Sequence, residues 1–329
     1  MIAGYCWPQS VLPGETVSLA VSGAGLSCDV QVVRIGSEEV TVDKWEDIPV
    51  VEQPTAADVS HSGCGWEETL NIAVHRSWNS GFYLVRIVGH DGKKGEAFFV
   101  VRALQPRETL LVLATSTWAA YNDWGGPSYY TGGHYSSLQR PLPKGFLEKP
   151  DPHRYRVARI AELSEEERRD HFSNFSIWSS AAGFANWELL FVRWAERHGI
   201  ELDYATSLDL HNNPDLLNAY SSYVSVGHDE YWSAEMRNHL EDWVERGGFA
   251  AFLSGNTAFW QVRFEDSGHT MVGFKQQFSE DPVMGTPEQR SVTTMWSDPL
   301  TERPESQMTG VSFTRGGYAH CRNAPTGSG

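Results

Sequence analysis

From residue 109 the sequence alternates short apolar runs with longer segments of helical period. The run TLLVLAT (109–115) has no polar face, as a strand covered on both sides requires. GFANWELLFVRWAERHG (183–199) follows the helical repeat, which places Phe184, Trp187, Phe191, Trp194 and Ala195 on one face and Gly199 at its end. IELDYATSLDL and SSYVSVGH then read as strands. SAEMRNHLEDWVERGG (233–248) is a second amphipathic helix, with Ser233 as its N-cap and Met236, Leu240, Trp243 and Val244 turned inward. FAAFLSGN closes the series as another strand. Strands alternating with helices imply a parallel α/β sheet, whose ligand site lies beyond the carboxyl ends of the strands.

Three polar stretches fall at those ends: YNDWGG (121–126), GHDEYW (227–232) and GNTAFW (255–260). Each has an ordinary structural explanation taken alone; Asp229 and Glu230, for instance, could simply favour the positive end of the following helix. Their convergence at the ends of neighbouring strands is the functional signal. His228 and Glu230 are two apart, so an extended strand end turns them to the same side and Asp229 to the other. A carboxylate and a phenol oxygen are hard ligands, suited to a hard metal ion, with His228 free to move protons. The G-x-S-x-G pattern of a serine nucleophile is absent from the sequence. Trp118, Trp124, Tyr231 and Trp232 are expected to wall a small apolar pocket.

Residues 1–104 read differently. ETVSLAVSG and CDVQVVRIG alternate apolar and polar residues, and GFYLVRIVG and GEAFFVVRA flank an Asp-Gly turn. An all-β sandwich is expected there, followed by an α/β domain over 107–329. Residues 127–182 are irregular, with one short helix expected in LSEEERRDHF, and a stretch of this kind reads as a functional loop or lid.

The chain carries a net charge of -16 and no basic run, which argues against nucleic acid and anionic membrane surfaces as partners. Its four cysteines show no CxxC spacing, and its first residues lack the pattern of a signal peptide. No apolar run is long enough to span a bilayer, so a soluble, cytoplasmic protein is expected.

STWAAYNDWGG, ANWELLFVRWAERHGIELDYATSLDLH, SVGHDEYWSAEMRNHLEDW and FLSGNTAFWQVRFE together resemble the large (beta) subunit family of N,N-dimethylformamidase, over about residues 107 to 290. SGFYLVRI and FFVVRA look like that family's amino-terminal portion. The resemblance implies a Rossmann-like, class I amidotransferase-like α/β domain. It also implies a mononuclear ferric iron held by two tyrosines and a glutamate, and hydrolysis of the C–N bond of a small N-substituted amide such as a formamide. Residue by residue, the implied metal ligands are Tyr121 and Glu230, and the implied catalytic residues are His228 and Asn256. The second tyrosine is open among Tyr130, Tyr135 and Tyr155. A homo-oligomer or a small partner subunit is also implied. The resemblance further implies sequence beyond Gly329, so a fragment truncated at its C-terminus is expected. The alternatives are a non-catalytic binding or scaffold module on the same fold, and a carbohydrate-processing protein.

Overall fold

The structure is a computed structural model that describes residues 2–25, 27–149 and 163–312. The first eight strands are β1 (Ile2–Trp7), β2 (Ser10–Val11), β3 (Thr16–Gly23), β4 (Ser27–Ile35), β5 (Glu39–Pro49), β6 (Leu70–Ala73), β7 (Gly81–Gly89) and β8 (Lys94–Val101). They form a three-stranded sheet, β1-β3-β6, facing a five-stranded sheet, β2-β8-β7-β4-β5. Strand alternation decides which side chain goes where. Tyr83, Val85 and Ile87 of β7 meet Val17, Leu19 and Val21 of β3 between the two sheets. The opposite phase, Phe82 and Leu84, joins a different core together with Leu111, Leu113 and Phe184. The five-stranded sheet is therefore covered on both faces, and its outer face shares a continuous core with the residues that follow. The stacked rings of Phe82 and Phe184, 3.7 Å apart, mark that junction.

The second half contains β9 (Thr109–Leu113), α1 (Thr115–Ala120), β10 (Tyr135–Ser137), α2 (Glu165–Asn174), α3 (Glu188–Arg197), β11 (Leu202–Thr206), α4 (Ser207–Asn212), β12 (Ser222–His228), β13 (Tyr231–Ser233), α5 (Ala234–Glu245), β14 (Phe249–Gly255), β15 (Trp260–Glu265) and β16 (Thr270–Val272). β11, β9, β12 and β14 pair in parallel in that order. The first strand of this series thus lies between the second and third, and the chain direction of crossover reverses between β9 and β12. That reversal opens a crevice at the carboxyl ends of these two strands. A small mixed sheet, β10-β16-β15-β13, covers this end.

The parallel sheet and the helix of 165–174, with its Ser164–Glu167 capping box, match the sequence reading. Two helix faces do not. The helix expected over 183–199 starts at Glu188 and buries Glu188, Leu189, Val192 and Ala195, while Trp194 is 49% exposed. Phe184 is buried ahead of the helix, against the five-stranded sheet, so it does not belong to the helical stripe. In α5, Met236, Leu240 and Trp243 turn inward, but Val244 is exposed and Arg237 is fully buried. Arg237 earns that place from tertiary partners: it pairs with Glu241, lies 4.5 Å over the Trp296 ring and donates to the Arg303 carbonyl. Helical periodicity holds no record of them.

Candidate functional site

α1 follows β9 immediately and ends on Tyr121, so the phenol emerges at the carboxyl end of the sheet. β12 ends on His228, and Glu230 sits between β12 and β13. Thr117 Oγ1 accepts a hydrogen bond from the Glu230 backbone N–H at 2.9 Å, which fixes the two strand ends to each other.

Glu230 is the centre of the site, and only 5% of its surface is exposed. Its Oε2 accepts hydrogen bonds from the hydroxyls of Tyr121 at 3.0 Å and Tyr130 at 2.9 Å. His228 Nε2 lies 3.1 Å from the same oxygen. The other carboxylate oxygen, Oε1, accepts from the indole N–H of Trp260 at 3.0 Å. Tyr231 in turn donates to the Tyr130 hydroxyl at 2.9 Å. The Tyr121 and Tyr130 rings stack with centroids 4.2 Å apart, and Trp178 packs edge-on against Tyr121.

His228 is held from behind: its Nδ1 lies 2.8 Å from the Ala181 carbonyl, which can only accept, so Nδ1 carries a proton. The amide of Asn256 reaches Nε2 at 3.2 Å. Asn256 stands just past β14 in the left-handed region, φ 53, a conformation that asparagine tolerates better than most residues. Lys275 completes the set. Its ammonium lies 3.4 Å above the Tyr130 ring and 5.2 Å from the Trp260 ring.

These contacts set the charges. Burial pushes the His228 imidazole down, but the hydrogen bond and charge of Glu230 outweigh it and hold His228 above its ordinary pKa. Burial pushes Glu230 up, and His228, Lys275 and Tyr130 together reverse that, so the carboxylate titrates below its usual range. Burial, followed by the charge of Glu230, raises both phenols well above the ordinary tyrosine value. Burial lowers Lys275 to about 8, with Glu230 opposing the shift.

All four residues singled out at the strand ends meet here: Tyr121, His228, Glu230 and Asn256. Of the three further tyrosines, Tyr130 reaches Glu230. Tyr135 stacks on His61 and meets Phe274 edge-on instead, and Tyr155 lies outside the described residues. Asp229 points away, to Ser225 Oγ at 2.6 Å and the Trp232 indole at 2.9 Å. The expected aromatic wall is corrected: only Tyr231 of that group faces the site. Trp118 packs on Phe98 and donates to Glu188, Trp124 packs on Trp66, and Trp232 belongs to the core around Met236. Sequence reasoning missed Lys275 and the role of Trp260. Trp260 closes the GNTAFW stretch already singled out, whereas nothing in the local pattern around Lys275 marks it.

Among the described residues, no group of three His, Cys, Asp or Glu side chains is placed to hold a metal. A metal at this site would need the phenol oxygens. Tyr121, Tyr130 and Glu230 bring three oxygen ligands together around one point, a donor set that fits a hard trivalent ion.

The profile of the family described as N,N-dimethylformamidase beta subunit-like, C-terminal, matches residues 29–326. The chain belongs to this family. The N,N-dimethylformamidase beta subunit of Alcaligenes sp is 27% identical over 224 residues, 60% of this chain and 28% of that protein. The beta subunit of Paracoccus aminophilus is 26% identical over 221 residues, with the same coverage of 60% and 28%. The match thus spans little more than a quarter of the length of these relatives. Among solved structures, a superoxide reductase (neelaredoxin) from Ignicoccus hospitalis covers 31% of this chain and 78% of its own at 11% identity. Its TM-score is 0.19, too low to bear on fold or chemistry.

Proposed function

We propose that this family member hydrolyses the C–N bond of a small N-substituted amide, such as a formamide, at an iron(III) ion held by Tyr121, Tyr130 and Glu230. The observation that carries the reading is the convergence of two tyrosine hydroxyls and His228 on one oxygen of Glu230, in the crevice between β9 and β12. Membership of the dimethylformamidase-like family supports amide hydrolysis as the reaction class. The strand order supports the class I amidotransferase-like assignment of the α/β part, with residues 1–104 as a sandwich domain packed against it. The relatives are named as subunits, which supports a small-molecule enzyme working in an assembly, as a homo-oligomer or with a small subunit. No helix among the described residues is long and apolar enough to cross a membrane.

When bound, the ion supplies Lewis acidity for the amide carbonyl and for water. The remaining chemistry belongs to the chain. The Tyr231 hydroxyl donates to the Tyr130 oxygen and so stabilises it as a phenolate. Trp260 holds Glu230 Oε1 and leaves Oε2 facing the tyrosines. His228, anchored through Nδ1, presents Nε2 to the site, where it takes the proton of the attacking water and returns it to the leaving nitrogen. The Asn256 amide, beside Nε2, donates to the oxygen that gains charge as the carbonyl is attacked. Lys275 adds positive potential over Tyr130 without a hydrogen bond to it.

The test is metal analysis and visible absorption of the purified chain, together with amine release from N-substituted formamides. Native protein should carry iron and the visible band of ferric phenolate, and Glu230→Ala should lose both, along with activity. A native chain that takes up no ferric ion, or a Glu230→Ala variant of undiminished activity, refutes the reading.

A further inference from the structure

We propose that Arg140 is the positioning residue for Tyr121, a buried cation that fixes where the phenol points. Arg140 is 2% exposed, yet it forms no ion pair among the described residues. Its hydrogen bonds go to oxygens of the turn that follows Tyr121 and of β10. Nη1 donates to the Trp124 carbonyl at 2.8 Å, and Nη2 donates to the Asn122 carbonyl at 3.0 Å and to Ser136 Oγ at 3.2 Å. Ser136 Oγ itself donates to the Ala119 carbonyl at 2.6 Å. One guanidinium thereby reaches the backbone on both sides of Tyr121, directly at 122 and 124 and through Ser136 at 119.

Burying an unpaired cation is costly on general grounds. Three well-formed hydrogen bonds to carbonyl and hydroxyl oxygens offset part of that cost, and the planar fork suits them better than an ammonium would. α1 has only six residues, and Tyr121 is its C-cap, so the helix alone does not hold the ring. The turn after Tyr121 makes two other side-chain clasps: Asn122 Nδ2 donates to the Pro141 carbonyl at 3.0 Å, beside Arg140, and the partly exposed Asp123 carboxylate accepts from Ser176 Oγ at 3.1 Å. Removing Arg140 therefore frees the backbone that aims the Tyr121 hydroxyl at Glu230.

The consequence for metal binding rests on the proposed ferric site; the consequence for Tyr121 does not. The test therefore has two readouts on the full chain, for the native protein, Arg140→Lys and the milder Ser136→Ala. The first, without metal, is the 13Cζ resonance of labelled tyrosine, with Tyr121 assigned through Tyr121→Phe. Both variants should shift and broaden the Tyr121 line and leave that of the distant core Tyr223 in place. The second is titration with ferric nitrilotriacetate, followed by visible absorption. Affinity should fall roughly 10–100-fold in Arg140→Lys, as for the loss of groups that orient a ligand. Cooperative thermal unfolding shows which variants are folded, and Ser136→Ala carries the test if Arg140→Lys is not. An unmoved Tyr121 line in a folded variant overturns the proposal. Native protein that binds no ferric ion would defeat the metal reading, while the carbon resonance still decides the role of Arg140.

Discussion

Tyr130→Phe separates a tyrosine that belongs to the site from one that is merely near it. The Tyr130 hydroxyl makes two partly buried hydrogen bonds, donating to Glu230 and accepting from Tyr231, each at 2.9 Å. A hydrogen bond to a charged group contributes about 1.5–3 kcal/mol, and leaving the Tyr231 hydroxyl without its acceptor costs about 1–3 kcal/mol more. The two losses overlap, because the ring stays in place and phenylalanine needs no desolvation, so a net destabilisation of roughly 2–4 kcal/mol is expected. The contact of Lys275 with the ring face survives the change and does not confound it. Urea denaturation of metal-free protein at pH 7 measures the effect. Tyr135→Phe is the control: that side chain stacks on His61 without bonding to Glu230, and its change should stay within about 0.5 kcal/mol. With ferric ion present, Tyr130→Phe should also lose the greater part of the visible band, and Tyr135→Phe should not. Equal stabilities for the two variants would refute the account of Tyr130 as a ligand-side donor to Glu230.

Other perturbations probe the surroundings. Glu188 is 1% exposed, and burial pushes its carboxyl up from 4.5 to about 8. The folded state then holds a proton that the unfolded state releases, so this contribution is complete below pH 4.5 and is lost as pH rises towards 8. The loss approaches about 4 kcal/mol, and Glu188→Gln should flatten that part of the stability–pH curve, as followed by urea midpoints between pH 5 and 8. Lys275→Met removes a positive charge that favours ionised Glu230, so the acid limb of the pH–activity profile should move to higher pH. Asn256→Ala should be about 1 kcal/mol less stable than Asn256→Gly in urea, because only glycine accepts a φ of 53 without strain.

How far the sequence reaches depends on where the information sits. Strand burial is written in local alternation, so Phe82, Tyr83, Leu84 and Val85 sort themselves between two cores without any knowledge of the partners. The end of a parallel strand is a location the chain must use for a ligand if it has one, and Tyr121, His228, Glu230 and Asn256 all lie at such ends. Helix rotation was harder to read. Trp194 looks apolar, yet it packs with tilted rings against Phe191 and His198 at the surface while the acid Glu188 is buried, so α3 departs from the simple stripe.

The second tyrosine shows the limit most clearly. Tyr129 and Tyr130 are adjacent, of the same chemistry, in a loop with no period to rank them. Tyr129 is the more buried of the two and donates to the Met271 carbonyl at 2.7 Å, a purely structural bond. Tyr130 turns the other way and meets Glu230. What separates them is the path of the loop from 128 to 134, which is set by contacts outside the loop: Tyr129 N–H to the nearby Ala120 carbonyl and, distant in sequence, Gly273 N–H to the His134 carbonyl and Lys275 over the Tyr130 ring. Gly273 leaves no room for a side chain there, since a Cβ would stand 2.4 Å from the Tyr129 ring. Tyr130 therefore owes its place at Glu230 to a turn around residue 273, on the far side of the sequence. A Gly273→Ala substitution should displace Tyr129 and, with it, the hydroxyl of Tyr130, altering ferric absorption through a residue that touches no ligand.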